Sequence, residues 1–271
     1  MQPGFKSGGH RLQMRAGVTP VMAEMILSHS FILVVVGLAF EARIAGSRKG
    51  VSVCCRRGGE AEAAMVRALD DPRCRGAISF GIAGGLDHKL PTGSHLIASE
   101  VVTSAGTVAT DLRWSQKLLA ACPTARHAPI LGADHVIIDP QEKRDLFEST
   151  GALAVDTESH ITALMAKERG LRFAALRIVA DPAHRKVPQA AMSGLHPDGR
   201  ANPRGVMRAL LRRPHEMPAL LAIARDTWRA RRGLSSALTV IGDDFGLPPR
   251  EIPAATQVIE VTGDEALAGA P

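Results

Sequence analysis

Three carboxylates stand where an apolar run gives way to a turn or a helix start. Glu41 lies in Gly37-Leu38-Ala39-Phe40-Glu41-Ala42-Arg43, directly after the apolar run Ser30–Val36. Glu158 closes Val155-Asp156-Thr157-Glu158, and Asp181 ends Arg177-Ile178-Val179-Ala180-Asp181-Pro182. Open α/β sheets bind their ligands outside such strand ends, and a carboxylate there can give or take a proton if its surroundings tune it. Pro182 disfavours α backbone at Asp181 and so extends the chain at the strand's exit. Each acid also has a plainer explanation. Glu41 and Glu158 fall at helix starts, where the macrodipole favours negative charge whatever the function.

A fourth segment, Phe80-Gly81-Ile82-Ala83-Gly84-Gly85-Leu86, reads as a strand running into a glycine turn. Its backbone N–H groups can approach a ribose or an anion, or it can be a simple turn. It is not G-x-G-x-x-G, and no acid ends a second strand at the right spacing, which argues against a dinucleotide site. The four cysteines, Cys54, Cys55, Cys74 and Cys122, lack both C-x-x-C pairing and metal-ligand spacing. They read as free thiols in a reducing, cytoplasmic setting, with no metal and no resident cofactor expected.

The elements that must hold these residues alternate. Apolar runs with strand character at Ser30–Val36, Val51–Cys54, Gly76–Ile82, His95–Val102, Pro129–Ile138, Leu153–Val155 and Leu171–Ala180 are separated by helical patterns. Those helices fall at Glu60–Leu69, Leu112–Ala121, Gln141–Ser149, Thr157–Arg169, Pro203–Arg213 and Pro214–Arg232. Alternation of this kind predicts an α/β fold, a single domain with a mixed, mostly parallel central sheet flanked by helices. The chain has no Tyr, two Trp and seven Phe; its core must rest on aliphatic side chains, which suits a sheet covered on both faces. The run Ile26–Phe40 is interrupted by His29 and two serines and is shorter than the ~20 apolar residues of a membrane span, so it reads as a buried first strand. Residues 1–24 are expected to be a disordered extension, 25–242 the domain, 243–271 a disordered tail, and 183–203 a loop that can serve as lid or interface.

The order of these segments resembles the purine nucleoside phosphorylase/methylthioadenosine nucleosidase superfamily. It rests on a glycine turn and a glutamate after strand one, the A-G-G-L turn, V-D-T-E, and R-I-V-A-D-P-A, over about residues 31–185. Within it, G-L-A-F-E-A-R-I-A, S-F-G-I-A-G-G-L and V-D-T-E-S-H look most like the hopanoid biosynthesis-associated nucleoside phosphorylases. The resemblance implies cleavage of a purine N-ribosidic bond, with adenosylhopane as the implied substrate and adenine as the released base. Asp181 is then the acid at the purine, Glu158 the carboxylate that holds the ribose, and Glu41 the group that orients or deprotonates the nucleophile. Gly37, Ala83, Gly84, Val136 and Thr157 line the base and sugar pockets. Phosphorolytic relatives place an arginine where this chain has Glu41, and their phosphate contacts fall near Ser79 and Ile82. Arg43 is the remaining candidate cation for phosphate, and phosphate as co-substrate and water as nucleophile both stay open. Relatives often form homo-oligomers.

The net charge of +6 is confined to one region: residues 201–232 hold eight Arg against two acids. Leu220, Leu221, Ala224 and Trp228 form one stripe of the last helix, with Arg225, Arg229 and Arg232 off it. The ordinary expectation is that the stripe packs on the sheet and the arginines are solvated. The alternative is a peripheral contact with an anionic membrane through 203–232. With no nucleic-acid motif and few aromatics, nucleic-acid binding is not expected.

Overall fold

The computed structural model describes residues 29–46, 48–55, 60–194, 196 and 199–249. The extension expected over 1–24 lies outside them. Eight strands form one mixed sheet: β1 (Phe31–Val36), β2 (Val51–Cys55), β3 (Cys74–Gly85), β4 (His95–Thr103), β5 (Gly106–Ala109), β6 (Arg126–Gly132), β7 (Ala154–Asp156) and β8 (Arg172–Asp181). The helices are α1 (Ala39–Ala45), α2 (Ala61–Asp70), α3 (Leu112–Ala121), α4 (Pro140–Thr150), α5 (Ser159–Glu168), α6 (Gln189–Met192), α7 (Pro203–Arg212) and α8 (Met217–Ile241).

Parallel pairs join β2 to β1, β1 to β3, β3 to β8, β4 to β6 and β6 to β7. Antiparallel pairs join β3 to β7, β4 to β5 and β4 to β8. The strands β3, β8, β4, β6 and β7 thereby close a ring, because β7 returns to the far end of β3. That closure depends on the length of β3. Ala83-Gly84-Gly85, expected as a turn, continues the strand: Gly84 pairs with Asp181 of β8 and with Val155 of β7. The pairing on both flanks holds the glycines extended; a Cβ on Gly84 would meet Val155 Cγ1 at 3.5 Å, and one on Gly85 would press on Val179 Cγ1 at 3.3 Å.

Successive residues of β1 point to opposite faces, and both faces are covered. Ile32, Val34 and Val36 join Phe80, Trp114, Leu118, Leu234 and Leu238 beneath α3 and α8. Leu33 and Val35 join Met65, Leu69, Ala163 and Phe173 beneath α2 and α5.

Several boundaries differ from the sequence pattern. The expected strand Pro129–Ile138 stops at Gly132, and 133–139 is a loop whose His135, Val136 and Ile137 turn toward a cavity. The strand β5 carries too little apolar sequence to be seen alone; it forms as the hairpin partner of β4. Helix α8 runs past Arg232 to Ile241, because Gly233 brings it close to the sheet: a Cβ there would lie 3.3 Å from Ile178 Cγ2. Residues 243–249, expected in the tail, are packed instead. Phe245 and Leu247 are buried, the Trp114 indole donates to the Phe245 carbonyl at 2.8 Å, and the Phe245 ring meets Phe80 edge-on.

The face that α8 buries also differs. Asp226, Ala230, Leu234, Ala237, Leu238 and Ile241 turn inward, whereas Leu221 and Trp228 are 63% and 55% exposed. The apolar stripe with Trp228 therefore faces solvent. It cannot also pack on the sheet, because the inward face is set by the small and aliphatic residues further along the helix.

Candidate active site

Helix α1 begins directly after β1, and its start is organised by Glu41. The Glu41 carboxylate accepts from the backbone N–H groups of Gly37 (2.9 Å), Leu38 (2.8 Å) and Ile82 (2.7 Å). The Leu38 N–H belongs to the N-cap, one of the unsatisfied donors of the helix N-terminus; the Gly37 N–H lies just ahead of it, and the Ile82 N–H ties α1 to β3. Gly81 makes room for this: a Cβ there would lie 2.6 Å from Arg177 Nη1 and 2.7 Å from Glu41 Cδ. Burial pushes the Glu41 carboxyl up to about 7; Arg177 pulls it down, Glu158 adds to the rise, and the backbone N–H groups of Ile82 and Leu38 lower it.

Arg177 is fully buried on β8, in the middle of this end of the site. It forms ion pairs with Asp156 (2.8 Å) and Glu158 (3.5 Å) and donates to the hydroxyls of Ser79 and Ser159. Burial opposes its charge, and Asp156, Glu158 and Glu41 outweigh that, raising its pKa. Asp156 is itself held by the N–H groups of Glu158 and Ser159 and by the Ser159 hydroxyl, which fixes the turn from β7 into α5. The turn aims Glu158 at Gly37, where a Cβ would lie 2.7 Å from the Glu158 Cδ. The Thr157 hydroxyl donates to Glu158 Oε1 at 2.5 Å. One guanidinium thus serves three carboxylates.

Asp181 lies beyond Gly84, at the end of β8. Its Oδ2 pairs with Lys143 of α4, a lysine with no exposed surface. Its Oδ1 is buried without a hydrogen-bond partner among the described residues. Burial pushes the Asp181 carboxyl up, while the neighbouring Lys143 and Arg185 pull it down.

A cavity of about 210 Å³ joins the two ends. Glu41, Glu158, Asp181, Gly37, Ala83, Gly84, Val136 and Thr157 all line it. Arg43 does not. Two residues further along α1 is more than half a turn of helix, so Arg43 is exposed on the opposite side, in a separate hollow with Arg48 and Cys55. Ser79 is buried behind Arg177, and Ile82 offers its N–H to Glu41, so neither forms an open anion cradle.

Sequence reasoning missed the roles of Arg177 and Lys143. The first was visible as part of R-I-V-A-D-P-A; the second had no local signal, since it sits in a polar helix and meets Asp181 only through the fold. It also missed Val187, Ile223 and Thr227, which close the cavity's apolar wall. Among the described residues, no group of three or more His, Cys, Asp or Glu is arranged to hold a metal ion.

A family model described as the phosphorylase superfamily matches residues 39–212. No curated protein matches the sequence significantly. Solved structures that resemble the chain include the 5′-methylthioadenosine/S-adenosylhomocysteine nucleosidase of Neisseria meningitidis in complex with methylthio-immucillin-A. It is 14% identical, with 78% of this chain and 98% of that chain covered and a TM-score of 0.57. The futalosine hydrolase of Helicobacter pylori is 13% identical, covering 77% and 97% with a TM-score of 0.55. A mutant Helicobacter pylori MTAN with 5′-methylthioadenosine in its active site gives the same identity, coverage and TM-score. At these identities the likeness is one of fold.

Proposed function

The chain belongs to the phosphorylase superfamily, an enzyme family of nucleoside phosphorylases and N-ribosyl hydrolases, and we propose that it releases adenine from a nucleoside with water as the nucleophile. The observation that carries this reading is the division of the cavity. Asp181 offers one free oxygen at one end, and a three-carboxylate, one-arginine cluster occupies the other.

Breaking an N-ribosidic bond leaves an oxocarbenium-like sugar and sends the bonding electron pair to the base. Asp181 gives the proton that neutralises the departing purine, and burial keeps its carboxyl able to hold one. Glu158 stands where the sugar cation forms and stabilises it as preorganised charge. Glu41, near neutrality in its proton affinity, takes a proton from water as the oxygen adds to C1′. The products are the free base and a ribose hydroxylated at C1′. The reaction needs no resident cofactor.

Phosphate is the co-substrate the subfamily resemblance implies, and the site's charge argues against it. Arg177 is already matched by three acids, and Arg43 is on the wrong side of α1. A phosphate dianion entering beside Glu41 and Glu158 meets repulsion rather than a clamp. Base release from methylthioadenosine or adenosine, followed chromatographically with and without phosphate, tests this. We expect equal rates in both, the free sugar as product (5-methylthioribose from methylthioadenosine, ribose from adenosine), and a loss of at least ~100-fold in kcat for Asp181→Asn. A sugar 1-phosphate formed only with phosphate would overturn hydrolysis, and full activity of Asp181→Asn would overturn the acid assignment.

The substrate we favour is a nucleoside linked to a lipid, as adenosylhopane is, in hopanoid side-chain assembly. Methylthioadenosine-like nucleosides are the second choice, and a noncatalytic nucleoside-binding protein the third. Supporting the first is the wall made by Ile223 and Thr227, on the helix that exposes Leu221 and Trp228 beside Arg225, Arg229 and Arg232. Helix α7 repeats the pattern, with Met207 and Leu211 beside Arg204, Arg208 and Arg212. No helix among the described residues is long and apolar enough to cross a membrane. We infer a cytoplasmic enzyme that rests on an anionic lipid surface through α7 and α8, with apolar side chains in the interface and arginines at the headgroups.

A further inference from the structure

Lys143 is the one buried residue of α4. The helix starts at Asp139, whose carboxylate accepts from the N–H groups of Gln141 and Glu142, with Pro140 in its first turn. An inward position on such a helix is ordinarily apolar, and a lysine there loses its hydration. Burying an ammonium is tolerated only where partners replace the water. Here every N–H has one: Asp181 Oδ2, the Pro182 carbonyl at 3.4 Å and the Arg185 carbonyl at 3.4 Å. With three donors used, and with Lys143 set behind the cavity wall instead of lining it, the ammonium does not touch a ligand.

We propose that Lys143 is a positioning residue for the base-side acid: it fixes Asp181 through Oδ2, sets a positive charge against that carboxyl, and leaves Oδ1 as the one oxygen without a protein partner among the described residues. The proposal rests on the preceding reading of Asp181 as the group that meets the leaving base.

The other charges around Asp181 cannot stand in for Lys143. Arg185, in the turn after β8, is engaged with Asp226 of α8. Asp226 is buried and also faces Arg225 and Arg229. Its charge raises the Asp181 carboxyl rather than lowering it. Glu41, Glu158 and Arg177 belong to the sugar end, across Gly84. Without Lys143, Asp181 is a buried carboxyl with no dedicated cation, free to turn and inclined to stay protonated. An acid of that kind recognises the base but releases its proton poorly, because proton transfer is fastest when the donor's pKa is near the working pH.

The variants are Lys143→Met, which keeps length without charge, and Lys143→Gln, which keeps a donor and guards against a misfolded methionine variant. Two measurements are made on the full chain. The first is the 13C titration of the Asp181 carboxyl, assigned by its loss in Asp181→Asn. The second is the pH profile of base release from methylthioadenosine. Loss of an adjacent opposite charge is expected to move the Asp181 midpoint upward by about one to three pH units. The high-pH limb of kcat should follow it, with KM changing less than kcat. A merely structural lysine would lower activity or stability without moving either midpoint. An Asp181 titration within 0.3 pH units, on the order of ~0.4 kcal/mol, of the unsubstituted protein in a folded variant overturns the proposal. If the unsubstituted protein releases no base, the enzymatic reading fails, and the carboxyl titration still decides what Lys143 does to Asp181.

Discussion

Glu41 is held by three backbone N–H groups and burial still pushes its carboxyl up to about 7. Two consequences follow for pH. If Glu41 is the base proposed above it must be ionised, so kcat should rise between pH 6 and 8 and the Glu41→Gln variant should lose that limb with most of its activity. For stability the sign runs the other way. Between the unfolded value of 4.5 and the folded value of about 7 the native state binds a proton that the unfolded chain does not. Stability therefore falls as pH rises through that window. Glu41→Gln has no such loss, and urea unfolding should find its advantage over the unsubstituted protein growing by about 3 kcal/mol from pH 4.5 to pH 7.5. A constant difference across that range would refute the raised Glu41 value. That Glu41, Glu158 and Asp181 stand at one cavity was legible in the sequence, through their order more than through any one of them. Arg43 was misplaced because linear proximity to Glu41 says nothing of helix rotation, and Lys143 was hidden because its meaning depends on a partner 38 residues away.

Among the elements, α3, α8 and the segment 243–249 depend on one another. Phe245 is buried with its ring against Phe80, and its carbonyl occupies the Trp114 indole N–H. The carbonyls of Pro248 and Leu247 then accept from Arg75, Arg172 and Lys117. Phe245→Ala should cost about 3–5 kcal/mol, read from the urea midpoint, while leaving base release at 25 °C unchanged in the protein that remains folded. An effect below about 1 kcal/mol would mean that this segment is not part of the core. The strand and helix order could be read from the sequence because hydrophobic runs and capping residues are local. Three features could not. The glycines of β3 look like a turn until β7 and β8 are known to flank them; Gly233 looks like a helix end until the sheet is seen beneath it; and the Pro/Gly-rich composition after Asp243 conceals two buried apolar side chains.

For the molecule as a whole, the positive surplus in 201–232 and the exposed apolar stripes occupy the same two helices. If those helices meet an anionic bilayer, the protein should co-sediment with phosphatidylglycerol-containing vesicles at low salt. Binding should fall as the Debye length shortens from ~30 Å at 0.01 M to ~8 Å at 0.15 M salt. Trp228→Ala should weaken it about tenfold through lost apolar burial, and the triple change Arg225→Ser, Arg229→Ser, Arg232→Ser about 100-fold, at roughly 1 kcal/mol per basic residue near the surface. Equal binding to neutral vesicles, or none at low salt, would count against the lipid surface.

The closed ring of β3, β8, β4, β6 and β7 has a mechanical corollary. Gly84 is bonded into both neighbours, with Asp181 on one side and Val155, just ahead of Asp156 and Glu158, on the other. The gap between Asp181 and Glu158 is therefore a fixed gauge: widening it would break ladder hydrogen bonds on both flanks at once. If a nucleoside is cleaved there as proposed, the spacing it meets is set by the strand ladder, and the 133–139 loop that lines the same cavity lies outside that ladder.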